Sequence, residues 1–293
     1  MTPRYSAASR VLSHWMGVES WCRSIESELT GPRSRKGGIP GSFQQYSSVA
    51  PIVAKRAARV HNQQVNDPDV SDPNSVQPKS FLLSTALWEY LVDHGADADP
   101  VARELAERTR SLGSVAEMQV PFEEAAFLSL IVKISGATRA VEVGTFTGMS
   151  ALAVARALPP EGSLTCFDRS SEWTDIGRPF WERAGVSHKI DLRIGDAAES
   201  LASMPRGELW DLAFVDADKE AYPLYWEELL ARMPSGGVLM ADNTLWSGQV
   251  CDPSASGTDL EAIRRFNDMV EADGRVDAMI LPLADGVTLA RIR

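Results

Sequence analysis

The segment Leu212-Ala213-Phe214-Val215-Asp216-Ala217-Asp218-Lys219 joins a run of apolar residues to an acidic cluster that ends in a lysine. Further along the chain, Val238-Leu239-Met240-Ala241-Asp242-Asn243 repeats the arrangement. Short apolar runs of this kind are typical of strands buried on both faces of a parallel sheet. In an open α/β sheet, ligands bind beyond the carboxyl ends of the strands. We therefore expect both acidic clusters at the binding edge of one sheet.

Strands and helices alternate through the region that contains these segments. Alternation of this kind predicts a doubly wound α/β fold with a parallel sheet. Helices are also predicted near 81–91 and over 100–112 and 122–135, before the first strand. The predicted strands cover 140–143, 163–167, 190–194, 212–215 and 237–241, and the helices that follow them cover 150–158, 173–184, 198–204, 222–233 and 259–272.

The end of this region departs from the alternation. Predicted strands over 276–283 and 287–292 are separated only by Ala284-Asp285-Gly286. A gap this short makes a hairpin, so the last strand runs antiparallel to its neighbour. A mostly parallel, seven-stranded, Rossmann-like sheet that ends in such a hairpin resembles class I methyltransferases. Nicotinamide-binding folds normally continue with a parallel strand.

Composition restricts the class of protein. The formal net charge of −11 argues against a nucleic-acid partner, because phosphate binding needs clustered Lys and Arg. No stretch is long enough for a membrane span and no secretory signal is recognisable, so we expect no membrane contact. Three widely spaced cysteines, Cys22, Cys166 and Cys251, fit free thiols and a cytoplasmic location.

The first 77 residues differ from the rest of the chain. They carry nine Lys and Arg against six Asp and Glu, and they show no sustained apolar period. We expect residues 1–77 to be a disordered extension, with a small functional module as the alternative, and residues 78–293 to form the enzyme domain.

A glycine-containing turn indicates a nucleoside site. The segment Glu142-Val143-Gly144-Thr145-Phe146-Thr147-Gly148 lies between the first strand and its helix, where free amides can meet a ligand. Asp168 ends the second strand, where a carboxylate can bind ribose hydroxyls, and Gly195-Asp196-Ala197 ends the third. Helix capping is the alternative role for Asp168 and Asp196. The turn lacks the third glycine of a dinucleotide fingerprint.

Hard oxygen ligands converge at the two later strand ends. Asp216, Asp242 and Asn243 suit Mg²⁺, and Mn²⁺ or Ca²⁺ would also fit. Lys219 is placed to move a proton. Capping or turn roles are the alternatives for the two aspartates. A solvated surface position, or pairing with Asp218, is the alternative for the lysine.

Residues 78–293 resemble the metal-dependent O-methyltransferases of the catechol and caffeoyl-CoA type, and most closely their bacterial members. The resemblance is carried by Met118-Gln119-Val120, Glu142 to Gly148, Asp168 with Glu172-Trp173-Thr174, Val215 to Lys219, Asp242 to Gly248, and Leu281-Pro282-Leu283-Ala284-Asp285-Gly286.

This resemblance implies a role for each matching position. Lys219 would be the catalytic base, and Asp216, Asp242 and Asn243 would bind the cation. Trp246 and Asp216 would contact the acceptor, and a homodimer would be the assembly. The role of Trp173, stacking on adenine or covering the sheet, stays open. S-adenosylmethionine would contact Val120, Glu142, Gly144, Thr145, Ser150, Asp168, Ala197 and Asp216.

The expected reaction is methyl transfer from S-adenosylmethionine to a vicinal diol such as a catechol. Loop 247–258 holds no Lys or Arg, whereas plant relatives carry a longer basic loop there for the coenzyme A phosphates. We therefore expect an acceptor smaller than a coenzyme A thioester. The alternatives are an NAD-type oxidoreductase and a catalytically silent S-adenosylmethionine-binding or scaffold protein.

Overall fold

A computed structural model describes residues 83–95, 99–207 and 209–293. The predicted extension, residues 1–77, lies outside these ranges. Within the described ranges, no helix combines the length and the apolar character that a membrane crossing requires.

The described residues form one seven-stranded sheet with the order β3-β2-β1-β4-β5-β7-β6. Strands β1 to β5 run parallel, and β7 lies antiparallel between β5 and β6. The predicted doubly wound sheet with an antiparallel hairpin is confirmed. The strands are β1 Arg139–Val143, β2 Ser163–Asp168, β3 Ile190–Ile194, β4 Leu212–Val215, β5 Val238–Ala241, β6 Val276–Leu281 and β7 Val287–Ile292.

Helices cover both faces of the sheet. Some bounds differ from the predicted ones: β6 ends at Leu281 because Pro282 has no N–H for the ladder, and α7 ends before the predicted 233. The helices are α1 Thr85–Gly95, α2 Pro100–Arg110, α3 Phe122–Ser135, α4 Met149–Ala157, α5 Ser171–Arg183, α6 Ala197–Ser203, α7 Tyr222–Leu230 and α8 Thr258–Ala272.

Two apolar layers hold these helices against the sheet. One layer contains Ala140 of β1 and Trp181 of α5, and the other contains Val143 of β1 and Trp226 of α7. Side chains alternate between the faces of a strand, so β1 contributes to both layers. The sheet is therefore buried on both faces, as expected for parallel strands with near-continuous apolar sequences.

The parallel register aligns the ends of β1, β4 and β5. Val143 lies opposite Val215, and Val215 lies opposite Ala241. The next residue of each strand therefore falls in one row, which brings Gly144, Asp216 and Asp242 together. Gly144 has φ +90°, and a Cβ there would lie 1.9 Å from the Asp216 carbonyl oxygen. Only glycine lets the turn after β1 approach β4 this closely.

Candidate active site

A cavity of about 1040 Å³ lies at the carboxyl ends of the strands. It brings together most of the residues predicted from the sequence. Glu142, Thr145 and Ser150 do not line it, but all are buried in β1 and in the turn and helix that follow it. The predicted residues that line the cavity are Val120, Gly144, Asp168, Ala197, Asp216, Lys219, Asp242, Asn243 and Trp246.

Lys219 lies at the acidic end of the cavity and is only 8% exposed. Its Nζ donates to Asp216 Oδ1 at 3.1 Å and to the Tyr222 hydroxyl at 2.8 Å. The Tyr222 hydroxyl in turn lies 3.1 Å from the carbonyl oxygen of Asp242. The solvated surface position considered for Lys219 is therefore wrong, and the lysine pairs with Asp216. Asp218 accepts a hydrogen bond from Tyr225 instead.

Asp242 and Asn243 complete this end of the cavity. Burial, and next the charge of Asp216, raise the pKa of Asp242. The backbone amide of Asn243 donates to Asp242 Oδ1 at 2.6 Å. Asn243 has φ +59° and its Nδ2 lies 3.5 Å from Asp285 Oδ2, so in this orientation its amide oxygen is free for a ligand. Two repelling carboxylates and an amide oxygen form a donor set that suits a hard divalent cation.

The described ranges hold no group of three His, Cys, Asp or Glu side chains close enough to bind a metal by themselves. The candidate cation set therefore depends on Asn243 as its third protein ligand. Acceptor oxygens or water would complete the coordination of a hard cation there.

The turn between β6 and β7 packs against the segment that follows β5. The amides of Thr244 and Leu245 donate to the carbonyl oxygens of Gly286 and Asp285, at 2.9 and 3.0 Å. Gly286 has φ +90°, and a Cβ there would lie 2.4 Å from Leu245 Cγ. The hairpin thus supports the segment that leads into Trp246, although hairpin and segment are distant in sequence.

At the opposite end of the cavity, Asp168 holds the glycine-containing turn. Its carboxylate accepts hydrogen bonds from the amides of Thr145, Phe146 and Ser170 at 2.9, 2.8 and 2.7 Å. Asp196 accepts a hydrogen bond from the Glu199 amide at 3.1 Å and caps α6. Its side chain therefore has the helix-capping role that was the alternative from the sequence. The residue after Asp196 in the chain, Ala197, lines the cavity.

Aromatic side chains form a wall near Asp168. Phe146 and Trp173 meet edge to face with ring centroids 5.1 Å apart, and both line the cavity. Arg169 lies beside this wall, 3.0 Å from Asp196 Oδ2 and 3.7 Å from Asp218 Oδ2. An apolar wall with a charged rim suits a flat heterocycle attached to a polar sugar.

Buried polar atoms without hydrogen-bond partners lie behind this end. The carboxylate oxygens of Glu142 and the Thr145 hydroxyl are among them. Burial raises the pKa of Glu142 to about 7. The side chains of Ser150 and Thr145 act on this pKa in the opposite direction, so Glu142 belongs to a buried polar group behind the cavity and not to its lining.

Glu124, Tyr222 and Asp285 were not predicted as site residues, but all reach the site. Glu124 and Asp285 line the cavity, and Tyr222 contacts Lys219. A weak sequence signal existed for Asp285, which belongs to a motif that carried the family resemblance. No local pattern distinguishes Glu124 from its neighbour Glu123.

The inserted antiparallel β7 and the cavity between a nucleoside-type turn and acidic strand ends define a class I methyltransferase. A family model described as O-methyltransferase matches residues 92–293. Tricin synthase 1 of Oryza sativa subsp. japonica is 40% identical over 232 residues, which cover 73% of this chain and 90% of that protein. The caffeoyl-CoA O-methyltransferase of Populus kitakamiensis is 38% identical over 225 residues, covering 73% and 96%.

A solved structure agrees with these sequence matches. The Bacillus cereus O-methyltransferase in complex with SAH superimposes with a TM-score of 0.65 at 30% identity, covering 71% of this chain and 98% of that one. The chain belongs to the O-methyltransferase family and is an S-adenosylmethionine-dependent O-methyltransferase of the caffeoyl-CoA type. This membership excludes the NAD-type oxidoreductase that was the alternative from the sequence.

Proposed function

We propose that the chain methylates one hydroxyl of a small vicinal diol of the catechol type, with a divalent cation in the site. The observation that carries the proposal is the position of Lys219. This buried lysine lies within hydrogen-bond distance of Asp216, at the end of the cavity that also holds Asp242 and Asn243. A buried proton acceptor beside hard oxygen ligands is what deprotonation of a diol requires.

A bound cation would lower the proton affinity of the diol oxygens, as metals do for bound water. A phenol has a pKa of about 10, so little phenolate exists at neutral pH without such help. Asp216, Asp242 and Asn243 would hold the cation. Burial and the charge of Asp216 raise the pKa of Asp242, and Lys219 acts in the opposite direction without outweighing them.

Residues of the chain would perform the remaining steps. Val120, Gly144 and Asp168 would hold the cofactor at one end of the cavity, and Trp246 would orient the acceptor at the other. Lys219 would take the hydroxyl proton through Nζ. The acceptor oxygen would then attack the methyl carbon, forming a C–O bond while the methyl–sulfur bond breaks and its electron pair stays on sulfur. The products are a monomethylated diol and S-adenosylhomocysteine. Holding both reactants in line can lower the activation free energy by roughly 7–11 kcal/mol in favourable cases.

The acceptor is expected to be smaller than a coenzyme A thioester. The segment after Trp246 offers no basic side chain for phosphates, and Arg264 of α8 is directed at its backbone. The guanidinium of Arg264 donates to the carbonyl oxygens of Gln249, Val250, Asp252 and Ala255. The poplar relative is named for caffeoyl-CoA, whose caffeoyl group carries a vicinal diol, and this supports the diol part of the proposal alone.

A methyl-transfer assay tests this proposal. Purified protein is incubated with S-adenosylmethionine and a panel of catechols, once with Mg²⁺ and once with EDTA. The expected result is a monomethylated product that is lost with EDTA and restored by excess Mg²⁺. Product formation that EDTA does not reduce would contradict a role for a divalent cation in the reaction. No product from any diol, despite measurable cofactor binding, would contradict the proposed acceptor class.

A further inference from the structure

Glu124 is a buried carboxylate in the cavity that the proposed mechanism does not use. It lies in the first turn of α3 and is 0% exposed, yet it lines the cavity. Neither of its two carboxylate oxygens has a hydrogen-bond partner. Burying a carboxylate without a partner is costly, so a group of this kind beside a cavity indicates a ligand that supplies the missing interaction.

The surroundings of Glu124 show which end of the cavity it faces. Burial is the main cause that raises its pKa, followed by the charges of Asp242 and Asp216. The nearby Lys219 acts in the opposite direction. These are the groups of the acidic end, whereas Asp168 and the aromatic wall belong to the other end. Glu124 is therefore grouped with the candidate cation ligands.

The neighbouring Glu123 provides a contrast within the same helix turn. Its Oε1 accepts a hydrogen bond from Trp88 Nε1 at 2.8 Å, and Glu123 does not line the cavity. Two successive glutamates of one helix are thus directed differently, one toward a tryptophan and one into the cavity. Of the two, Glu124 is the one placed to act on a bound ligand.

We infer that Glu124 is an additional acidic group of the cation site and acts on the cation through an intervening water. This inference rests on the proposed function. A direct bond is not favoured, because the described residues contain no group of three acidic, His or Cys side chains close enough to share one metal. A carboxylate held at this range orders the water around the cation and adds to the negative potential that attracts it.

Binding of Mn²⁺ to the full-length protein, without cofactor or acceptor, tests the inference apart from activity. The concentration of free Mn²⁺ is measured from its electron paramagnetic resonance signal during a titration. Glu124→Gln keeps the shape of the side chain but removes its charge, and we expect the Mn²⁺ affinity to fall about 10–100-fold. Glu123→Gln is the matched control and should bind within about twofold of the unchanged protein, a difference well below that range.

Additional variants separate the possible results. Asp242→Asn should lose Mn²⁺ binding. Glu124→Asp keeps the charge on a shorter side chain and should lose less Mn²⁺ affinity than Glu124→Gln. This variant therefore distinguishes loss of the charge from a folding defect in Glu124→Gln. Thermal unfolding of each variant is recorded alongside. Unchanged affinity in Glu124→Gln, while Asp242→Asn loses binding, would overturn the inference alone.

Failure of the proposed function would look different. If the unchanged protein binds no Mn²⁺, the cation itself is wrong and the inference falls with it. If Glu124→Gln keeps its Mn²⁺ affinity but binds S-adenosylmethionine more weakly, Glu124 faces the cofactor ammonium instead, and the inference is again overturned.

Discussion

Lys219 has two hydrogen bonds that fix the position of its Nζ. One partner, Asp216, follows β4, and the other, Tyr222, begins α7. Both partners lie close to Lys219 in the chain, so the local sequence brings them together once the strand ends. Proton transfer needs this kind of fixed geometry as much as it needs the right chemical group.

Replacing Lys219 by methionine removes the proton acceptor and keeps most of the side-chain volume. We expect kcat to fall about 100-fold or more, within the range known for general bases. The affinity for S-adenosylmethionine, measured by calorimetric titration, should stay within about threefold, because no cofactor contact is assigned to Lys219. Lys133→Met, on the exposed face of α3, should leave both values unchanged. Full turnover in Lys219→Met would remove the proposed role.

Gly144 has no room for a side chain, which gives a prediction about stability. Gly144→Ala would place its Cβ 1.9 Å from a backbone oxygen at φ +90°. We expect a loss of about 2 kcal/mol or more in the free energy of unfolding, from steric overlap in addition to backbone strain. Gly185→Ala is the control, because Gly185 also has a positive φ but no atom within 4 Å of the position that an alanine Cβ would occupy. Urea denaturation measures the unfolding free energy of both variants. Equal losses in the two would show that the structure around residue 144 shifts enough to remove the overlap.

Part of the site could be predicted from the sequence, and part could not. Asp216 and Asp242 directly follow apolar runs, and parallel register alone brings the ends of β4 and β5 together. Glu124 and Asp285 reach the same cavity from α3 and from the terminal hairpin. Their positions depend on how distant elements pack, which one local pattern does not contain. Asp196 had two possible roles, and only its contact with Glu199 shows the capping one.

Hydrogen bonds also connect β1 and β4 at the amino ends of the strands, opposite the cavity. Asp211, just before β4, accepts hydrogen bonds from the amides of Thr138 and Arg139 at 3.0 and 2.9 Å. The guanidinium of Arg139 is 2.5 Å from the other carboxylate oxygen of Asp211. This contact connects the start of β4 to the start of β1, so it supports the register that aligns the cavity residues.

The pKa of Asp211 predicts a dependence of stability on pH. Burial alone would raise this pKa, but the Arg139 side chain and the two amides outweigh it and lower the pKa to about 2. The folded pKa lies below the ordinary aspartate value of 3.8, so the stabilisation is present above that pH and is lost as the pH falls toward 2. Asp211→Asn should lower the free energy of unfolding by about 1–3 kcal/mol at neutral pH.

Urea denaturation at several pH values measures this effect. The difference in unfolding free energy between Asp211→Asn and the wild-type protein should shrink below about pH 4 and approach zero only below about pH 2. Asp277→Asn is the control, because its ion pair with Arg293 is exposed and should contribute little at any pH. A difference that does not change with pH would contradict the role of the Asp211 charge.

The segment Trp246–Cys251 depends on α8 for its shape. Arg264 donates to four of the nearby carbonyl oxygens, so Arg264→Ala should loosen the acceptor side of the cavity. Misplacement of a substrate can reduce kcat/KM by up to about 100-fold, and we expect the loss to arise mainly from the KM of the acceptor. Steady-state kinetics with the acceptor varied measure it. A change in cofactor affinity instead would contradict this assignment.

The elements were easier to predict than their ends. Continuous apolar runs that alternate with helical segments predicted the parallel strands, and the three-residue gap before Val287 predicted the hairpin. The short 3-10 helix over Trp246–Cys251 was not predicted, because its shape comes from Arg264 and from the positive φ of Trp246 and Ser247. A positive φ is uncommon for tryptophan and serine, so their sequence gives no signal for it.

At the scale of the whole molecule, the shared domain accounts for most of the relatives' length. The match to the poplar protein covers 96% of that protein but only 73% of this chain, and the family match starts at residue 92. We therefore expect a protein that starts at residue 78 to keep the thermal midpoint and the cofactor affinity of the full chain. Calorimetry of both proteins measures this. A truncated protein that unfolds at a lower temperature would show that residues 1–77 support the domain.

The place of β7 inside the sheet also constrains the order in which the molecule can assemble. Among the described strands, β6 pairs with β7 alone, and β7 reaches the parallel strands through β5, with Val238 opposite Arg291. Both hairpin strands follow all five parallel strands in the chain, so they are synthesised after them. The parallel half of the sheet can therefore form first, with the edge of β5 left open to pair with another chain. Closure by the hairpin ends that exposure, and any slowing of this late step would favour aggregation before it weakened the finished enzyme.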